Sequence, residues 1–186
     1  MKNNLTEKYI KTINKWAEKY GIKELKINDK EKIFNLKQLC IFDTNIKHIP
    51  AAIFKLTNLK SLSIYCNNLN RLPKEICNLI NLKELYIHCE NLKSLPNEIE
   101  RLTNLESIHI ECENLKQLPK EIHNLIKLKR FDIDCPNSEN FPDGIAKLIN
   151  LETIYIINSN GKLNLQYLIG GIVKLNNLKS LYIDIE

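Results

Sequence analysis

Pro50, Pro73, Pro96, Pro119 and Pro142 recur at a single interval of 23 residues. A fixed period of about 20–50 residues decides the architecture before any local reading, because one such unit cannot bury its own apolar face and must stack on its neighbours. Each proline sits in the same context. Leu72-Pro73-Lys74-Glu75-Ile76-Cys77-Asn78-Leu79-Ile80-Asn81-Leu82-Lys83-Glu84-Leu85-Tyr86-Ile87 is one copy, and Leu118-Pro119-Lys120-Glu121-Ile122-His123-Asn124-Leu125 begins another.

An apolar triplet opens every unit: Leu36/Leu39/Ile41, Leu59/Leu62/Ile64, Leu82/Leu85/Ile87, Leu105/Ile108/Ile110, Leu128/Phe131/Ile133, Leu151/Ile154/Ile156 and Leu178/Leu181/Ile183. The last two members of each triplet alternate, which is a strand period. Ile76, Leu79 and Leu82 are three apart, a helical or 3-10 spacing. Each unit therefore reads as a short strand, a turn and a short helical return. Leu-Pro introduces the return, and proline suits its first turn because the missing N–H has no intrahelical partner there. Ile22/Leu25/Ile27 repeats the strand pattern in a shortened opening unit over 22–35. The unit from Leu151 runs 27 residues to Leu178, its insertion falling near Asn160-Gly161-Lys162-Leu163 or Gly170-Gly171.

This pattern resembles the leucine-rich repeat family in its 23-residue form, Leu-x-x-Leu-x-Leu…Leu-Pro-x-x-Ile-x-x-Leu, over roughly residues 22 to 186. The resemblance implies an α/β fold: a right-handed solenoid with one parallel concave sheet and short helical or 3-10 convex returns. Residues 1–21 read as an N-terminal cap and 22–186 as the repeat domain. Within the cap, Tyr9, Ile10, Ile13, Trp16, Ala17 and Tyr20 share one face of a helix over 4–20. Asn4 and Glu7 suit a capping box, and Gly21 a left-handed stop. Lys8, Lys11, Lys15 and Lys19 lie opposite, so a basic amphipathic helix resting on a membrane surface is the alternative to a core cover.

The family's usual ninth-position Asn forms no ladder here. Thr44, Asn67, Glu90, Glu113, Pro136 and Ser159 stand there, while Asn45, Asn68, Asn91, Asn114, Asn137 and Asn160 follow one place later. Cys66, Cys89, Cys112 and Cys135 stand one place earlier, similar to the Cys-x-Asn-Leu turns of some plant disease-resistance repeats. Strand alternation turns these thiols inward, predicting a buried cysteine ladder beside an Asn ladder that satisfies turn backbone. A linear ladder cannot converge on one zinc ion, and in-register side chains point alike rather than at each other, so free thiols are expected. Cys40, on the concave side, and Cys77, on the convex side, are expected to react first.

Positions three, five and seven of each unit face out from the concave sheet. They gather Phe42, Tyr65 and Tyr86, then His88 and His109, then Glu111, Asp132 and Asp134, then Tyr155, Ile157, Tyr182 and Asp184. Exposed aromatics mixed with charge make a protein-binding composition, and we read these residues as the partner-binding face. The acidic centre asks for a partner with a basic or mixed surface. The net charge of +5 is mild. Lys37, Lys60, Lys83, Lys129 and Lys179 line one sheet edge, leaving nucleic acid or an anionic membrane as the alternative partner. His88, His109, Glu111, Asp132 and Asp134 are candidate metal ligands on three strands, though nothing visible orients the imidazoles.

For catalysis, a small-molecule substrate or a cofactor, the sequence offers no signature: no Gly-rich phosphate loop, and thiols expected to be buried. Bacterial effectors that join such repeats to a ubiquitin-ligase domain are a similar class, but 186 residues leave no room for that second domain. No apolar run approaches the ~20 residues of a membrane span. Met1-Lys2-Asn3-Asn4-Leu5-Thr6-Glu7 is no secretory leader, so a cytoplasmic location is expected. The sequence ends on Leu181-Tyr182-Ile183-Asp184-Ile185-Glu186, a strand with a free edge, for which three readings stand: a piece of a longer protein, packing on a second copy, or an edge blunted by the acidic Asp184 and Glu186.

Overall fold

A computed structural model describes residues 6–26, 29–139, 143–160, 163–164 and 170–185. The 23-residue register becomes seven parallel strands in one open sheet, in chain order: β1 (Gln38–Phe42), β2 (Ser61–Tyr65), β3 (Glu84–His88), β4 (Ser107–Glu111), β5 (Arg130–Asp134), β6 (Thr153–Ile157) and β7 (Ser180–Asp184). Pairing is strictly position to position, so Leu39 faces Leu62, Leu62 faces Leu85 and Leu85 faces Ile108. From Leu39 to Ile156 every inward strand residue is at most 3% exposed. The lengthened unit keeps this register, with Ile154 opposite Leu181.

The returns are 3-10 helices: Ala51–Lys55, Lys74–Asn78, Asn97–Arg101, Lys120–Asn124 and Asp143–Lys147. Each buries its central Ile, and the Leu three residues on, just past the helix, is buried as well, the spacing that eclipses in a 3-10 turn. Pro50, Pro73, Pro96 and Pro119 stand just before these helices in extended conformation, not in their first turn. Each prolyl carbonyl accepts the N–H three residues on, for example Ile76 N to Pro73 O at 3.1 Å. Pro142 lies outside the described residues.

α1 spans Glu7–Tyr20 and buries Ile13, Trp16 and Ala17, while Trp16 Nε1 donates to the His48 carbonyl at 3.2 Å. Its apolar face is thus occupied by the first coils and is not free for a bilayer. Gly21 ends it with φ of 71°, as expected. The N-cap is Thr6, which makes no side-chain cap bond, and Asn4 lies outside the described residues. Lys23–Leu25 forms a 3-10 turn rather than the expected strand. Asp29 then caps α2 (Lys30–Phe34) by accepting the N–H groups of Glu31 and Lys32. Too few residues separate Ile22 from Leu36 for a strand and a return, so Ile22 and Leu25 reach the core from a helical turn instead. Ile27 lies outside the described residues, as do Gly161 and Lys162 of the insertion. Among the described residues no helix is long and apolar enough to cross a membrane.

Cys66, Cys89, Cys112 and Cys135 are free and buried. Cys66, Cys89 and Cys135 direct Sγ at the carbonyls of Ile41, Ile64 and Ile110, 3.8–3.9 Å away. Asn158 continues the ladder with two amide bonds, to the Cys135 carbonyl (2.8 Å) and the Ser138 carbonyl (3.2 Å). Of the expected Asn ladder, Asn68, Asn114 and Asn137 donate to the previous turn's carbonyls (Thr44, Glu90 and Glu113). A second Asn ladder runs before the strands. Asn58, Asn81, Asn104, Asn150 and Asn177 donate to Phe34, Thr57, Ile80, Ile126 and Ile149 carbonyls at 2.7–3.2 Å.

Cys77 is buried at 5% exposure, against the expectation of a reactive convex thiol, because the return packs its side chain against neighbouring coils. Only Cys40 is exposed. A native thiol titration is therefore expected to label one cysteine quickly and the other five only on unfolding; rapid labelling of two or more would contradict this packing. At Gly144, a Cβ would come within 2.5–2.6 Å of His123 ring and Cβ atoms. Gly144→Ala should cost about 1–3 kcal/mol by overpacking. Thermal melts should show part of that cost recovered in Gly144→Ala/His123→Ala, and no recovery would locate the strain elsewhere.

Candidate functional site

Strand alternation sends three side chains per strand to the concave side, and the parallel register lines them into rows whose successive members are ~4.8 Å apart. One row reads Phe42, Tyr65, His88, Glu111, Asp134, Ile157 and Asp184, and the next reads Cys40, Ser63, Tyr86, His109, Asp132, Tyr155 and Tyr182. All twelve sequence-predicted face residues thus lie in two adjacent rows. Their rings meet along the rows. Phe42–Tyr65, Tyr65–His88 and Tyr86–His109 sit 6.0–6.1 Å apart, and Tyr155 stacks on Tyr182 at 4.6 Å. Phe42, 70% exposed, is the most open of them.

The acidic centre is less uniform than its sequence suggests. Asp132 belongs to the face by register but is only 4% exposed, a correction to its reading as a freely available contact. Arg130, one row over, donates from Nε to Asp132 Oδ2 at 2.7 Å, and His109 Nδ1 lies 3.6 Å from the same oxygen. Asp132 Oδ1 has no hydrogen-bond partner among the described residues. Burial alone would raise this carboxyl's pKa, but His109 and Arg130 outweigh it and hold the group below the ordinary 3.8. The same carboxylate, against the desolvation of the ring, raises His109 above 6.5.

In the other row His88 Nδ1 pairs with Glu111 Oε2 at 2.8 Å, and His109 Nε2 lies 3.9 Å from that oxygen. Asp134 has no cation at ion-pair distance among the described residues. Desolvation, then the neighbouring Glu111 charge, raises its pKa above 3.8. At the turn end of the face, His88, Glu90, Glu111, Cys112, Glu113, Asp134 and Pro136 line a shallow cavity of about 230 Å3. Glu90 and Glu113 were missed because their ninth position was read only for its lost Asn. Arg130 was missed as a clamp because sequence spacing cannot show which carboxylate a long side chain will reach. Among the described residues no group of three or more His, Cys, Asp or Glu is arranged to hold a metal ion.

At the edge, Lys83 and Lys129 both reach Glu106, at 2.7 and 3.1 Å, and Lys179 reaches Glu152 at 2.6 Å. Burial pushes the Cys66 thiol up to about 12, Cys89 to about 11 and Cys135 to about 12.

A family model described as a leucine-rich repeat region matches residues 74–186, and a second, described as leucine rich repeat, matches 34–88. No curated protein sequence matches at comparable significance. Among solved structures, the chain is similar to a leucine-rich repeat protein of Leptospira interrogans, at 24% identity and a TM-score of 0.60, covering 88% of this chain and 52% of that one. It is also similar to the leucine-rich repeat domain of the type III effector XopL, at 18% identity and a TM-score of 0.72, covering 99% of this chain and 73% of that one. The chain thus spans about half the length of the Leptospira protein.

The raised pKa of His109 has a direction that unfolding can read. Its stabilising share is full below 6.5 and is lost as pH rises through the folded value. Melting points at about pH 5.5 and about pH 8.5 should fall further apart in the native chain than in His109→Gln. Equal pH dependence in the two would remove His109 from the pair with Asp132.

Proposed function

The chain belongs to the leucine-rich repeat family, and on that premise we propose that its concave face docks a protein partner whose contact surface carries lysine or arginine. One observation carries the reading. The chain has 27 Lys and Arg residues, yet its outward concave positions hold no lysine and a single arginine, Arg130. Glu84, Glu111, Asp132, Asp134 and Asp184 stand there against it. A face of carboxylates on a cationic molecule steers cationic partners toward it. Tyr65, Tyr86, Tyr155 and Tyr182 flank the acidic centre as low-entropy anchors for the apolar stems and cationic heads of such side chains.

The module is read as a binder and not a catalyst. Thiols held at about 11 to 12 carry negligible thiolate at neutral pH, so the ladder offers no nucleophile. An anionic partner is the second reading. It is favoured by a cavity of about 800 Å3 whose lining includes Lys47, His48, Arg71 and Lys74 beside Glu75. It is weakened at the sheet edge, where Lys83, Lys129 and Lys179 are engaged by Glu106 and Glu152.

Titration with matched lysine-rich and glutamate-rich peptides separates the two. The lysine-rich peptide is expected to bind, to weaken as salt rises, and to lose about tenfold or more in Glu111→Lys/Asp134→Lys. Binding of the glutamate-rich peptide instead, or no effect of the double variant, rejects the concave acidic face.

A further inference from the structure

The concave face is sorted in one direction only. Along its outer row the chemistry changes in blocks: Phe42 and Tyr65 are aromatic, His88 follows, Glu111 and Asp134 are acidic, and Ile157 is aliphatic. The row beside it runs in step, with Tyr86, His109, Asp132 and Tyr155 on β3 to β6. Along any one strand the classes are mixed: β4 presents Ser107, His109 and Glu111, and β5 presents Arg130, Asp132 and Asp134. A partner segment that matches this face therefore lies across the strands, along the rows.

Spacing then selects the conformation of that segment. Successive members of a row are ~4.8 Å apart. A helix returns a side chain to one face every turn, ~5.4 Å along its axis. An extended chain does so every second residue, ~6.7 Å along its axis. Between β2 and β6 a helix drifts from the strands by ~2.4 Å, half a strand spacing, whereas an extended segment drifts by ~7.6 Å, more than one and a half. The two rows stand two strand residues apart, and the ~10 Å width of a helix covers both.

The availability of the carboxylates places the charges. Asp132 is buried, with Oδ2 held by Arg130. In the outer row Glu111 meets His88 through Oε2, and Asp134 has no cation at ion-pair distance among the described residues. Glu111 and Asp134 are register partners on adjacent strands, so the two open acidic positions lie one helical turn apart.

We propose that the occupant of this face is an amphipathic helix of the partner, lying across β2 to β6, with Lys or Arg on two successive turns and an apolar side chain on either side of them. The inference rests on the reading of the concave face as the dock for a cationic partner and gives that partner a shape. An apolar side chain at helix position i meets Tyr65, cations at i+7 and i+11 meet Glu111 and Asp134, and an apolar side chain at i+14 meets Ile157 beside Tyr155. At 3.6 residues per turn all four project within a sector of ~60°. The turn at i+3 and i+4 lies over His88. Anchors at this spacing are how a helix is read by a groove, here with the charges in the middle.

Three peptides of equal charge, titrated into the full chain, test the proposal. The first places leucine at i and i+14 and lysine at i+7 and i+11 on a helix of alanine and glutamine. The second moves the lysines to i+5 and i+9, on the opposite side of the same helix. The third keeps the first pattern but carries a central proline that breaks the helix. The first is expected to bind at least tenfold more tightly than the other two, and to lose that advantage in Glu111→Lys/Asp134→Lys. Equally tight binding of the second or third peptide overturns the helix and leaves the acidic dock standing. A first peptide that does not bind, or whose binding the double variant does not weaken, rejects the dock and the helix together.

Discussion

Everything in this molecule depends on one constraint: no coil can bury its apolar triplet alone. Leu62 and Ile64 are fully buried only because Leu39/Ile41 and Leu85/Ile87 close on them from both sides. Stability in such a stack is mostly a sum of nearest-neighbour terms, so a register error in one coil would expose apolar surface in two. This explains why the insertion after Leu151 leaves the pairing of β6 with β7 untouched. It also explains the two Asn ladders. A turn repeated every coil needs its carbonyls satisfied every coil, and an amide reaching back one coil does that without adding a charge.

The period made the strands, their order and their facing residues legible, because strand alternation plus a fixed register leaves no freedom in what faces where. Elements whose conformation depends on what covers them were harder to read. Ile22 and Leu25 carry the strand spacing yet reach the core from a 3-10 turn. Cys77 sits at a convex position yet is packed between coils. An Asn precedes every strand except β5, where Lys127 takes its place, yet its role as a backbone donor to the previous coil does not follow from spacing. Asn158 and Ser138 form a further coupled case: an amide takes a thiol's place in the ladder and finds its acceptor on a residue that stands where other coils have Leu or Ile.

For the candidate site, the membership of the face was legible and its electrostatics were not. Row positions follow from parity, but whether a carboxylate is available follows from side-chain reach. Asp132 shows the difference. It lies in the middle of the predicted face, yet Arg130 and His109 claim one oxygen and burial closes off the other. Its ionised form persists because those two neighbours outweigh desolvation. A buried charge held this way is a positioning element for His109 more than a contact for a partner.

In-register stacking sets like positions side by side, so a row of like charges is self-repelling by construction. At the edge only the later coils avoid this: after Lys37, Lys60 and Lys83 the column alternates as Glu106, Lys129, Glu152 and Lys179, and Glu106 bridges Lys83 and Lys129. The concave row breaks the rule, since Glu111 and Asp134 are register partners with His88 engaged only on the far side of Glu111. The consequence is visible in Asp134, whose carboxyl is pushed above its ordinary value by burial and by Glu111. The later coils pair their edge charges, while Asp134 on the face has no cation at ion-pair distance among the described residues. The cation missing from that row is what a docking partner would have to bring, and its arrival would relieve repulsion as well as add attraction.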